Sequence, residues 1–372
     1  MRMFRQVRWS RGCWAALGAA VSAVVFLGGT ATAATGWTVV TIPQPSAATV
    51  LYGAFARTSS DVWVVGRQFG PTGQPAPPPV AYHWNGSAWS LLTMPTTPAA
   101  ASVGAVSASS ATDAWTVGWT GGYRHIALTE HWNGTAWSMV PGPVSSAKLF
   151  ALRGVADLSP TNAYAIGSDL GVAYHWDGTA WSTFALPDAS FAASAMTAVS
   201  ATDIWLVGSG SAGAEAMNYN GSAWTVVPVQ QPSGNAAALN GITAVAANDI
   251  WAVGDVKNAS GIAVGTLTEH WNGSNWSIVP SPTASGTFPT LNAVAARSSS
   301  DVYAVGAATS SGTTQGLILR WNGSTWSQDT DPTGSGFSVL YAAAAAPGAA
   351  QEWAAGFQGN GGPDQALVLS HS

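Results

Sequence analysis

An all-β fold assembled from repeated four-stranded units is the class that this sequence predicts. Three observations carry it. A turn of Asn-Gly, once Asp-Gly, recurs between aromatic flanks. A short apolar strand ending in Gly recurs ahead of each turn. The two keep a common period, with turn residues at Asn85, Asn133, Asp177, Asn220, Asn272 and Asn322, about 43–52 residues apart. Four strands at that period describe one blade of a β-propeller.

Residues 1–33 come first. Arg2, Arg5, Arg8 and Arg11 precede an apolar run from Cys13 to Gly29, and Ala31-Thr32-Ala33 follows. This pattern reads as a secretory signal peptide cleaved after Ala33. The alternative is a retained membrane anchor, for which the run is short and too rich in Ala and Gly. Cys13 is the sole cysteine, so residues 34–372 can make neither a disulfide nor a thiolate. Removing the leader leaves eight basic against 17 acidic residues, a net charge near −9. No basic run survives, which argues against nucleic acid and anionic membrane surfaces as partners. Only 8% of residues are charged while 47% are hydrophobic, as expected of sheets covered on both faces.

Each unit then opens on a small-residue strand, such as Gly241–Ala246 or Leu291–Ala296, whose side chains allow close approach around an axis. Next comes the motif Asp113-Ala114-Trp115-Thr116-Val117-Gly118, with further copies starting at Asp61, Asn162, Asp203, Asp249 and Asp301 and a degraded one at Gln351–Gly356. Its nearly unbroken apolar run predicts a strand buried on both faces. The hairpin His131–Ser138 completes the unit. With Asn133-Gly134 as a two-residue turn, Trp132 falls opposite Thr135 and Glu130 opposite Trp137, so the two Trp rings lie diagonally on one face.

Six units are complete. The seventh begins near Leu340 and stops where its turn and last strand belong. Gly36–Pro43 matches the last strand of another unit, Ala136–Pro141. Residues 34–43 are therefore expected to supply the outermost strand of the last blade, closing the ring and hiding two sheet edges. The sequence thus predicts an all-β, seven-bladed β-propeller with four antiparallel strands per blade. Its blades span about 50–97, 101–145, 150–188, 192–232, 238–283, 290–333, and 338–372 with 34–45.

On these motifs the chain resembles secreted bacterial seven-bladed propellers, distantly similar to kelch and galactose-oxidase propellers, over essentially all of residues 34–372. It departs from kelch in ending its second strand on a single Gly, as at Gly118. The resemblance implies the fold and not a kelch partner. Galactose-oxidase chemistry needs a Cys–Tyr crosslink, which residues 34–372 cannot make.

Repeated polar residues are first of all structural. Asp61, Asp113, Asp203, Asp249 and Asp301 are expected to accept backbone N–H bonds and fix the turns before them. His83, His131, His175 and His270 sit on different blades. Packed sheets lie about 10 Å apart, so these histidines cannot share one metal. They are expected opposite Ala88, Ala136, Ala180 and Asn275. The Asn-Gly-Ser/Thr triplets match a glycosylation acceptor, but the turn accounts for Asn and Gly together.

The turns on one rim stay nearly constant, whereas the connections after the repeated Gly vary freely. A uniform rim for structure and a variable rim for contact is the expectation for loops on a rigid scaffold. Of the Trp residues beyond the leader, Trp119 alone is off the repeat. Trp119, Tyr123, Arg124 and His125 are the candidate ligand-binding residues, rings for stacking and Arg and His for hydroxyl groups. The expected function is a secreted, monomeric, non-enzymatic binding module for glycans or cell-envelope polymers through the variable rim, its partner an extracellular glycan or surface protein. No catalytic residue, metal or cofactor is assigned. A carbohydrate lyase or hydrolase is the alternative, should Asp157, Asp188 or Glu215 converge at the channel mouth with raised pKa values. A passive protein-interaction scaffold is the third. Asp169, Asp255, Lys257, Lys148 and Arg153 are further polar residues off the repeat, and no pair of them shows a spacing for acid–base work.

Overall fold

The computed structural model describes residues 36–71, 74–145, 150–234, 236–282, 287–359 and 361–372. The leader and the expected cleavage site after Ala33 lie outside the described residues. The strands form seven antiparallel sheets of four. In the first blade Ala48–Thr58 is innermost, followed outward by Asp61–Phe69, Val80–Trp84 and Trp89–Leu92. Innermost strands of consecutive blades lie side by side, and that of the seventh, Phe337–Ala345, returns to Ala48–Thr58. The protein is a seven-bladed β-propeller.

The seventh blade consists of Phe337–Ala345, Glu352–Gly359, Gln365–His371 and, outermost, Thr38–Val39. Thr38 pairs with Ser370 and Val39 with Leu369, and the Val40 N–H donates to the Val368 carbonyl at 2.9 Å. Trp37 is buried among Leu340, Leu367 and Leu369 and stands edge-on to Tyr303 at 5.3 Å. Beyond Val40 the chain turns toward the first blade. There Ile42 joins a buried cluster with Trp89 and Trp353, and the Tyr82 hydroxyl donates to the Pro43 carbonyl at 2.9 Å. The segment expected as one strand is therefore a short ladder followed by a strap across two blades.

The core is divided into layers, one between each neighbouring pair of blades. Between the first two, Trp63 and Val65 meet Val103, Leu128 and Trp137. The second-strand Trp of one blade packs on the hairpin Trp pair of the next. Trp63 lies 5.5 Å from Trp132 and 5.4 Å from Trp137, and Trp115 lies 5.1 Å from Trp176 and 5.4 Å from Trp181. Such aromatic contacts add about 0.5–1.5 kcal/mol each beyond the area they bury. The repeated tryptophans join blades.

The hairpin differs from its sequence reading. Trp132 pairs with Trp137, and Glu130 pairs with Met139. The loop has four residues, Asn133 to Ala136. The Asn133 Oδ1 accepts from Thr135 N at 3.0 Å, Thr135 Oγ1 at 2.8 Å and Ala136 N at 3.0 Å. Within that loop only Gly134 takes positive φ, 92°. A side-chain carbonyl that closes the loop removes the need for two positive-φ residues. The Trp132 and Trp137 rings consequently face each other directly, 5.8 Å apart.

The repeated Gly of the second strands, past which most of them continue, has a steric cause. The innermost strand carries an extra residue, as between Val103 and Ala105, and the bulge throws a carbonyl inward. A Cβ on Gly118 would overlap the Ser102 carbonyl oxygen, and one on Gly254 that of Ala238. Gly118→Ala is expected to cost roughly 3 kcal/mol or more, read by chemical denaturation. Gly104→Ala, with no atom within 4 Å of its Cβ, is the matched control and should change little. Equal effects at the two positions would remove the steric account.

Candidate binding rim

The constant rim is held by side chains. His131 Nε2 lies 2.6 Å from Asp113 Oδ1, while Ser109 Oγ donates to Asp113 Oδ2. His83 and Arg57 take the two oxygens of Asp61 at 2.7 and 2.6 Å. His270 meets Asp249 at 2.8 Å, and His175 meets Asn162 at 2.9 Å. Burial alone would raise the Asp61 carboxyl, but the bonds from His83 and Arg57 outweigh it and hold it below the ordinary range. The aspartates thus bind side chains across strands, where the sequence suggested backbone N–H groups. The histidines stand opposite Ser90, Ser138, Ser182 and Ser277. The four-residue loop shifts the pairing by two, which is why Ala88, Ala136, Ala180 and Asn275 are not their neighbours. Among the described residues no group of three or more His, Cys, Asp or Glu could hold a metal ion.

Around the axis runs a channel of about 510 Å³. The bulge on each innermost strand leaves one residue unpaired beside it: Tyr52, Gly104, Arg153, Ser194, Asn240, Asn292 and Tyr341. All seven line the channel. Asn240 and Asn292 donate to the Leu291 and Leu340 carbonyls of the following blades, at 3.0 and 2.8 Å. The Tyr52 and Tyr341 rings lie 5.2 Å apart.

The four candidate residues sit on a tight hairpin at the variable rim. Asp113–Gly121 continues past Gly118, and His125–Trp132 returns. Trp119 and His125 therefore belong to strands, stacked at 3.8 Å and 14°. The Arg67 guanidinium carbon lies 5.0 Å from the Trp119 ring and 4.4 Å from that of Phe69. Tyr123 and Arg124 occupy the exposed tip. The fold brings Trp119 and His125 together and adds Arg67 and Phe69, which the sequence reading missed. A signal was present, since Arg67 follows Gly66 as Trp119 follows Gly118.

The acidic candidates do not converge. Asp157 is buried between the second and third blades, its Oδ2 accepting from Ser109 N at 2.9 Å. Burial, with help from nearby Asp113, pushes its carboxyl up to about 8. Asp188 and Glu215 bond to each other elsewhere. Burial and then Asp188 raise Glu215, while Ser190 holds Asp188 below the ordinary range. Asp169 accepts from Tyr174 OH at 2.8 Å, and Asp255 pairs with Lys257 at 3.4 Å. Lys148 lies outside the described residues. Of the three carboxyls on which the lyase alternative rests, only Asp157 lines the channel, and Asp188 and Glu215 pair away from it.

No family model matches the chain, and no curated protein does. Among solved structures it is similar to YCF48 bound to D1 peptide, at 15% identity and TM-score 0.57, over 90% of this chain and 96% of that one. It is similar to virginiamycin B lyase from Staphylococcus aureus, at 12% identity and TM-score 0.59, over 89% and 98%. It is also similar to U3-55K, at 11% identity and TM-score 0.61, over 91% and 99%. At such identities the likeness is one of fold, shared with propellers of differing roles.

Proposed function

We propose that the chain is a non-enzymatic binding module, exported by its leader, that takes a macromolecular ligand across the variable rim as a monomer. The observation that carries this is the placement of exposed apolar surface. Most of the large apolar side chains left in solvent stand on that rim, among them Phe69, Tyr123, Ile126, Leu170, Phe288 and Phe337. Phe288 even holds positive φ, 55°, a conformation that a bulky residue rarely keeps without cause. Exposed apolar groups gathered on one face of a rigid scaffold support a contact surface.

A polypeptide segment is the ligand class favoured. A sugar platform needs an open ring face, and Trp119 already carries His125 and Arg67. One propeller of similar fold, YCF48, is seen bound to the D1 peptide. The test places a photo-crosslinking residue at Tyr123 or Phe337 on the variable rim, and at Ser87 or Thr135 on the other. The protein is exposed to the extracellular proteins of its own cell, and the adducts are identified by mass spectrometry. Adducts from the first pair alone are expected. Adducts only from the second pair, or equally from both, refute the proposal.

Glycan binding remains the second reading, favoured by the exposed Tyr123 ring beside the Trp119–His125 stack, with Arg124 to bond hydroxyls. Under it, Trp119→Ala loses retention on a glycan array while keeping its melting curve. Undiminished retention by that variant removes the reading.

A further inference from the structure

We infer that the sector of the variable rim on the first three blades is built for an acidic polypeptide segment, its carboxylates meeting Arg67, Arg124 and Arg153. This rests on the rim reading above and adds the chemistry of the ligand. The argument is an inventory of cations. Of the basic residues described, Arg57, Lys257, Arg297 and Arg320 each have a carboxylate within ion-pair distance. Arg67, Arg124 and Arg153 have none among the described residues. All three lie at the same rim, on consecutive blades, in a chain whose net charge beyond the leader is near −9.

Contacts join them into one surface. The Arg67 guanidinium lies over Trp119, and Trp119 stacks on His125, the neighbour of Arg124. The His125 carbonyl accepts from Phe150 N at 3.2 Å, three residues before Arg153. The bulge at Arg153 turns its exposed side chain to the channel. The Arg67 Nε is buried and has no hydrogen-bond partner, and an unsatisfied charged donor is costly. A carboxylate arriving from solvent meets the outer guanidinium nitrogens and not the buried Nε, and their fork suits it. Of the acidic groups of the rim, Asp169 is bonded to Tyr174, Asp188 to Glu215, Asp255 to Lys257 and Asp331 to Thr333 and Ser338, while Asp364 lies near Tyr52 and Tyr341.

The same sector carries Phe69, Tyr123, Ile126 and Val144, the last 91% exposed. Ile126 and Val144 offer nothing to a sugar hydroxyl. They suit apolar side chains spaced between carboxylates, which favours an acidic peptide over a polyuronate.

The test uses fluorescence anisotropy on the purified chain with three probes: a short peptide repeating Asp-Leu-Glu-Phe, its amide counterpart repeating Asn-Leu-Gln-Phe, and an oligogalacturonate. The acidic peptide should bind at least about tenfold more tightly than the amide, with affinity falling as salt rises. Arg124 and Arg153 are exposed, so the double change Arg124→Gln with Arg153→Gln should keep the melting curve. It should lose about tenfold in affinity for the acidic peptide alone. Changing both to Glu should turn the preference toward a peptide with Lys in place of Asp and Glu. Equal binding of acidic and amide peptides, or binding unchanged in the Gln variant, overturns the inference. If Phe69→Ser with Tyr123→Ser then weakens both peptides, the rim reading survives that failure. Arginine-dependent binding of the oligogalacturonate without the peptide overturns the ligand class. Binding of no probe overturns the inference as well, and leaves the rim reading to the crosslinking result.

Discussion

Removal of residues 34–43 is expected to lower the melting temperature by about 10 °C or more. Three losses combine. Trp37 leaves a buried site among Leu340, Leu367 and Leu369, and truncating a buried Trp alone costs about 3–5 kcal/mol. Ile42 and the Pro43 carbonyl no longer strap the seventh blade to the first. Gln365–His371 becomes an open edge with unpaired backbone groups, which also invites association between chains. Val39 separates packing from pairing, because its side chain is 48% exposed. Val39→Ala should therefore melt almost as the parent does, and Trp37→Ala should account for much of the deletion. Calorimetric scans of the three variants settle it, and an unshifted transition in the deletion would dismiss closure as a source of stability.

The second large effect is a loss of stability as pH rises. Glu130 and Glu269 have no exposed surface and sit between blades. Glu130 shares a face with Leu128 and Trp132, which pack toward the first blade, and neither of its carboxyl oxygens has a hydrogen-bond partner. Burial pushes Glu130 up to about 8 and Glu269 up to about 7. Asp157, as described, reaches about 8. Each acid is protonated in the native protein at pH values where the unfolded chain has already ionised. The native state therefore binds more protons, and stability falls as pH rises from the ordinary carboxylate range toward these raised values. Each tenfold difference in proton affinity is worth about 1.4 kcal/mol, so one such group suffices for several degrees. Burial pushes Glu352 up as well, to about 9, so melting temperature should decline from about pH 5 to pH 9 and level off above. Glu130→Gln and Glu269→Gln keep the shape and remove the proton, and each should flatten the decline. A melting temperature constant over that range would contradict the assignment of neutral buried acids.

The equivalent position of Glu130 holds Glu269 in the fifth blade and Tyr82, Tyr174, Met217, Leu319 and Leu369 in the others, all buried. Repeat alignment of the sequence places an acid among apolar residues there, yet gives no hint that it lacks a partner. Trp119 stood out because it breaks the repeat. Arg67 follows its Gly in the same way, but its contact with Trp119 is made across blades and only the fold shows it.

Sequence by itself determined the blade number, the four-strand unit and the loan of the first strand to the last blade. These depend on local turn chemistry and on counting copies, and both are written along the chain. It also separated the uniform rim from the variable one. Tertiary structure alone decided the four-residue loop register, the pairing of His with Asp and the gathering of Arg67, Arg124 and Arg153 on one sector. Those facts depend on which side chains of neighbouring blades meet. The bulges that aim Arg153 at the channel, and the side-chain carbonyl that closes each hairpin, act across space, where periodicity carries no record.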